Sequence, residues 1–144
     1  VRARVIVAGS RSWNNRLAVW DALDRARQLL GPLTVVHGAA RGADSLAATW
    51  VRARPAADVD EDPHPADWDT CAPDCPPGHR KRKGRREWCP TAGHRRNQEM
   101  VDAGADLLLA FPLPSSTGTW DCWRRAQAAG IRCVEIKAQG RSTR

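Results

Sequence analysis

Three short apolar runs, each closing in a glycine- or serine-bearing turn and each followed by a helix-like stretch, constrain this chain most. They are "RVIVAGSR" from Arg4, "LTVVHGAARGAD" from Leu33 and "ADLLLAFPLPSSTGT" from Ala105. Runs of this kind, β-branched or leucine-rich without polar alternation, read as strands buried on both faces. Strands that alternate with helices are joined by right-handed crossovers, which make the strands parallel and lay helices over the sheet. The expected fold is therefore α/β: a doubly wound, mostly parallel Rossmann-like sheet with helices on both faces.

The stretches between the runs fill in this scheme. Asn14 or Asn15 can cap a first helix, with Leu17, Trp20, Leu23 or Asp24, Arg27 and Leu30 on its spacing and Gly31-Pro32 as its stop. A second helix is predicted from Asp44 or Ser45 to about Arg54, a third over 92–103 with Gly104 as its C-terminal cap, and a fourth from "STGT" to Ala129. "IRCVEI" (131–136) reads as a last strand, and the polar tail after Lys137 is expected to fray. A weak third strand is predicted at 57–59. Residues 61–91, rich in Pro, Asp and Cys, read as an irregular insertion. With 144 residues the chain is expected to form one domain, 1–144, that carries this insertion.

No apolar run comes near the roughly 20 residues of a membrane helix, and the beginning of the sequence lacks the pattern of a secretory signal. These features predict a soluble, cytoplasmic protein without a membrane partner. The net charge of +7 is concentrated: residues 79–96 hold eight basic side chains and one acid, an excess as large as that of the whole chain. A local basic feature of this kind fits an anionic partner, and single-stranded nucleic acid is one candidate.

In parallel sheets ligands bind beyond the carboxyl ends of the strands, near the point where strand order reverses. Three loops are predicted there: Gly9-Ser10-Arg11, the Gly38–Asp44 loop with Arg41 and Gly42, and Ser116-Thr117-Gly118-Thr119. Glycines admit a ligand close to the backbone, hydroxyls bond it, and helix N-terminal amides favour an anion. Taken alone, each loop is more often turn and cap chemistry than a ligand contact, with Asp44 as a helix cap, and it is their shared rim that points to a ligand. Arg95 and Arg96 open the third helix, where a cation opposes the helix dipole unless an anion is bound nearby.

The ordered set "VIVAGSR", "VVHGAARGAD", "HPADW", "AGHRRNQEM" and "STGT" resembles the SLOG superfamily, the Rossmann-like proteins grouped around DprA and Lonely Guy, and within it the YspA-like, YpsA-related branch. The resemblance implies a nucleotide or nucleotide-derived ligand, sensed or processed at the strand ends, and it allows a homodimer. It also implies Arg96 at the position of the Lonely Guy catalytic arginine. Cys122 falls where those N-glycosidic hydrolases carry a glutamate, and Asp121 is the neighbouring carboxylate. Three readings stand at this point: nucleotide binding, phosphoribohydrolase-like catalysis through Arg96 and Asp121, and nucleic-acid binding through the basic insertion.

Cys71, Cys75, His79 and Cys89 supply three thiols and one imidazole, the ligand set of a closed structural zinc site. Zinc would also order a loop too long to stand unaided in a compact domain. His64 and His94 are alternatives to His79.

Overall fold

The computed structural model describes residues 1–138. Its elements are β1 (Ala3–Gly9), α1 (Arg16–Leu30), β2 (Leu33–His37), α2 (Ala43–Arg52), β3 (Val59–Pro63), β4 (Lys81–Lys83), β5 (Arg86–Trp88), α3 (Ala92–Asp102), β6 (Leu107–Phe111), α4 (Thr117–Ala128) and β7 (Cys133–Glu135). Most of the tail expected to fray lies outside the described residues. Five strands form one parallel sheet in the order β3-β2-β1-β6-β7. The chain winds outward from β1 in one direction and from β6 in the other, so the order reverses between these two strands.

Side-chain alternation along the buried strands divides the core into two layers. Val5, Val7, Leu33, Val35, Leu109 and Phe111 pack beneath α1 and α2, with Trp13 and Trp50 filling the space between the elements. Ile6, Ala8, Val36, Leu108 and Ala110 face Met100 and Val101 of α3 and Cys122 and Ala126 of α4. This is the doubly wound arrangement that the alternation of strands and helices predicts. The stripe that α1 buries is Val19, Ala22, Leu23 and Ala26, whereas Leu17 and Leu30 face outward. Asn15 caps α1 by accepting a hydrogen bond from the Ala18 amide.

Gly9 is required by packing. A Cβ there would lie 2.4 Å from the Cβ of Ala43 and 2.9 Å from that of Phe111, so only glycine lets α2 start this close to the end of β1. The same contact brings the Ser10 carbonyl to the Ala43 amide at 3.3 Å.

The third strand departs from expectation. It begins at Val59 and takes in Asp60, Glu61, Asp62 and Pro63, whose acidic run reads poorly as strand. As an edge strand it needs a partner on one side only, and two of its acids meet side chains of neighbouring strands: Asp62 bonds Arg4 at 2.7 Å and Glu61 bonds His37 at 2.7 Å. Residues 61–63 therefore belong to the sheet, and the excursion from it starts at His64. Within that excursion the basic run, expected to be irregular, is an antiparallel hairpin, β4 with β5, turned at Gly84 with φ +63°.

Candidate functional site

A cavity of about 640 Å³ opens where the strand order reverses, beyond the carboxyl ends of β1 and β6. Loops 9–12 and 114–119 form two of its sides. Arg96 rises from α3, and Trp68, Lys81 and Trp88 close it from the excursion. Arg11, Lys81 and Arg96 supply positive charge, and Asp44 is the one carboxylate among the described lining residues. Two non-glycine residues in the rim loops hold left-handed backbone, Ala39 at φ 56° and Ser115 at φ 71°. Such conformations carry a cost and gather where a loop is shaped for a ligand.

Arg96 is fixed by the protein and still has donors to spare. Its Nη1 donates to the carbonyls of Gly38 at 2.5 Å and His64 at 3.3 Å, and its Nε donates to Asn97 Oδ1 at 3.0 Å. Among the described residues, Nη2 meets no acceptor. Gly38 makes this seat possible, because a Cβ at that position would stand 2.1 Å from Arg96 Nη1. Burial lowers the pKa of the guanidinium, and the carboxylate of Asp44 works against that shift.

Asp44 is buried in the first turn of α2, whose cap residue is Gly42, and its Oδ2 accepts from the amides of Gly38 and Ala40 at 3.0 and 3.3 Å. It therefore organises the loop after β2 instead of capping its helix. Burial raises its pKa despite the pull of His37, the two amides and Arg96. Arg11 lies over the Trp68 ring at 5.4 Å and borders both the main cavity and an adjoining one of about 220 Å³, which Arg41 lines.

At the start of α4, the hydroxyls of Ser116 and Thr119 bond each other at 3.0 Å, and no side chain caps the helix. The Thr117 amide donates to the Ser115 carbonyl at 2.9 Å, and the first-turn amides of Gly118 and Thr119 lack a capping oxygen at the cavity, where a helix N-terminus favours an anion.

The two residues considered for catalysis separate. Arg96 lines the cavity, while Asp121 lies in a different depression between α3 and α4, bonded to Arg125 at 2.9 Å and Asn97 at 3.0 Å. Burial raises the Asp121 pKa, but the bonds from Arg125 and Asn97 outweigh it and hold the carboxyl below its ordinary range. Cys122 is a core residue whose thiol burial pushes up to about 12.

Beside the cavity, the donor atoms of Cys71, Cys75, His79 and Cys89 all lie within 4.8 Å of one another. His79 Nε2 is 3.2 Å from Cys71 Sγ and 3.3 Å from Cys89 Sγ, and Cys75 and Cys89 are 4.0 Å apart, sulfur to sulfur. Tetrahedral zinc bonds imply separations of about 3.8 Å between sulfurs and about 3.5 Å from sulfur to nitrogen. The cysteines form no disulfide, so the cluster could hold a metal ion. Arg95 resolves its conflict with the helix dipole here: its Nη1 lies 3.3 Å from Cys89 Sγ and 3.6 Å from Cys75 Sγ. Arg80 Nη1 lies 3.7 Å from Cys71 Sγ. Burial disfavours the Cys89 thiolate, but hydrogen bonds from Thr91 and Arg95 outweigh it and bring the thiol to about 5.

His64 does not join this cluster. Its ring bridges Glu99 at 2.6 Å and Asp62 at 3.0 Å, and those two bonds raise its pKa although burial opposes them. A raised folded-state value means that the imidazolium stabilises the fold fully below the unfolded value, about 6.5. That contribution is lost as pH climbs through the folded-state value. Urea unfolding followed from pH 6 upward should show the loss, and His64→Gln should remove that part of the slope; an unchanged slope would assign it to another group.

Sequence reasoning missed Trp68, Lys81, Trp88 and the cavity-lining His94 as members of the site. The signal was weak, since Trp68 and Trp88 lie in a stretch without periodicity. Trp68 is tied to the cysteine cluster by the 2.7 Å bond from the Cys89 amide to its carbonyl, and Trp88 precedes Cys89 in the chain.

A sequence model of the YspA, cpYpsA-related SLOG family (YAcAr) matches residues 3–70. The chain is also similar to the "Gene 61 protein" of Mycobacterium phage D29, with 44% identity over 136 residues that cover 92% of this chain and 95% of the phage protein.

Proposed function

Because the chain belongs to the YspA, cpYpsA-related SLOG family, we propose that it binds a nucleotide or nucleotide-derived ligand in the cavity beyond β1 and β6. One observation carries this reading: the Arg96 guanidinium, Arg11 and the uncapped first turn of α4 converge on a single cavity at the reversal point. A phosphate there gains charge-assisted bonds from Arg96 Nη2 and from the amides of Gly118 and Thr119, in a partly dehydrated site. Trp68 and Trp88 offer flat apolar surface for the base. Gly9 and Gly38 serve the site indirectly, by letting α2 and Arg96 approach.

We take the metal of the cysteine cluster to be zinc, because three thiolates and an imidazole at tetrahedral spacing suit it and redox-inert closure suits a structural role. Cys71, Cys75, His79 and Cys89 would hold it, with Arg80 and Arg95 balancing the thiolate charge. When bound, it supplies folding free energy to a segment that has little core of its own.

Isothermal titration with nucleoside 5′-monophosphates and diphosphates, alongside the matching nucleosides, tests the reading. At least one phosphorylated compound should bind, and its nucleoside should bind about tenfold more weakly or not at all. Equal affinity for nucleoside and nucleotide would remove the phosphate cradle. No binding by any member of the panel would count against the function as a whole.

A further inference from the structure

The β4–β5 hairpin separates its charges between two faces. Residues directly opposite in an antiparallel pair share a face, as do residues two apart along a strand. Lys81 pairs with Trp88 and Lys83 with Arg86, so these four side chains occupy one face, and Arg82 with Glu87 occupies the other. The single acid, Glu87, offsets one of two cations on its own face: it accepts from Arg80 at 2.6 Å and from Arg82 at 3.3 Å. On the first face Lys81 and Trp88 line the cavity. Lys83 and Arg86 continue outward from them, exposed and without a carboxylate partner among the described residues. Arg86 lies over the Trp88 ring at 5.7 Å, which keeps an indole and a cation together on this face.

We propose that this inner face of the hairpin is a track for single-stranded nucleic acid whose end nucleotide occupies the cavity, a proposal that rests on the nucleotide-binding reading above. Two features of the face select this partner. Indole and cation adjoin along it, the combination that stacks bases while holding backbone phosphates. It also runs without a break from a cavity that already gathers Arg11, Arg96 and Trp68. Lys81 and Lys83 sit two residues apart, roughly 6.8 Å along a strand, too far to share one phosphate oxygen and suited to separate groups of a chain. A membrane surface is a poorer match, since residues 82–86 carry no apolar side chain to enter a lipid boundary.

The test compares two double variants that remove the same charge: Lys83→Ser with Arg86→Ser on the inner face, and Arg82→Ser with Arg85→Ser on the outer face and turn. Both are exposed changes that leave the metal ligands intact. Fluorescence anisotropy is read against salt with random-sequence DNA and RNA hexamers, labelled at either end so that the opposite end is free. Calorimetry is run with the matching mononucleotides, and inorganic polyphosphate serves as a base-free competitor. A single strand contributes about 0.7 to the slope of log affinity against log salt for each phosphate contacted. The inner-face variant should therefore lose about 1.4 of that slope, while the outer-face variant keeps it. Mononucleotide affinity should stay unchanged in both.

Equal slopes in the two variants would overturn the track. So would a hexamer that binds no more tightly than a mononucleotide, or polyphosphate that displaces the hexamer at equal phosphate concentration. Each of those results leaves the cavity reading standing. A protein that binds neither mononucleotide nor hexamer would remove both.

Discussion

Cys89→Ala is expected to abolish metal binding and to release the whole excursion from the sheet, while the sheet itself stays folded. The wild-type protein, prepared without chelators, should carry about one zinc ion per chain, as the four-ligand set requires. The variant should carry close to none. In residues 64–91 Cys89 is the only buried residue, so a metal in the cysteine cluster would carry most of the order of this segment. Structural zinc supplies about 10–16 kcal/mol in small zinc-finger peptides, far more than the apolar contacts available here. Residues 1–60 and 92–138 keep both layers of the core, apart from Cys89. Hydrogen exchange should accordingly show lost protection confined to about residues 64–91, with a global transition close to that of the wild type. Nucleotide affinity should fall as well, because Trp68, Lys81 and Trp88 leave the cavity wall with the segment. Elemental analysis and hydrogen exchange check both parts. A metal-free wild type with the excursion fully protected would contradict the account.

Arg96→Ala should lower nucleotide affinity by about ten- to a hundredfold, the worth of a charge-assisted hydrogen bond to phosphate of about 1.5–3 kcal/mol. Part of this loss could come from the loop, since Arg96 also ties the Gly38 and His64 carbonyls together. Arg96→Lys separates the two effects, because one ammonium cannot serve the carbonyls and a phosphate in the way a planar guanidinium does. If Arg96 binds phosphate, both variants lose affinity for the nucleotide and keep whatever weak affinity the nucleoside has. Removing Arg82, Lys83 and Arg85 together by serine should cost a mononucleotide much less, because these side chains are exposed and do not line the cavity. The opposite order of effects would transfer ligand binding to the hairpin.

Much of the fold was legible because buried parallel strands leave a simple trace. β1, β2 and β6 are uninterrupted apolar runs, and each turns over glycine or serine into a helix. β3 was obscured because two of its acids, Asp62 and Glu61, are answered by Arg4 and His37, partners far away in sequence that no local pattern reveals. The hairpin was obscured for a related reason: Lys and Arg are poor markers of a strand, and this pair of strands lies beside the Cys/His cluster without a core of its own. For the site, the three rim loops and Arg96 could be read from their position after strands. What could not be read was direction. Arg95, next to Arg96 in sequence, turns to the cysteine sulfurs, and Asp121 turns to Arg125, away from the cavity. Those outcomes depend on side-chain geometry around α3 and α4.

The most direct measurement of the central claim is mass spectrometry of the small molecules released when freshly purified protein is denatured. A recurrent phosphorylated nucleoside derivative should be recovered from the wild type and depleted in Arg96→Ala. A wild type that releases nothing phosphorylated, and that also fails to take up any nucleotide supplied to it, would contradict the claim.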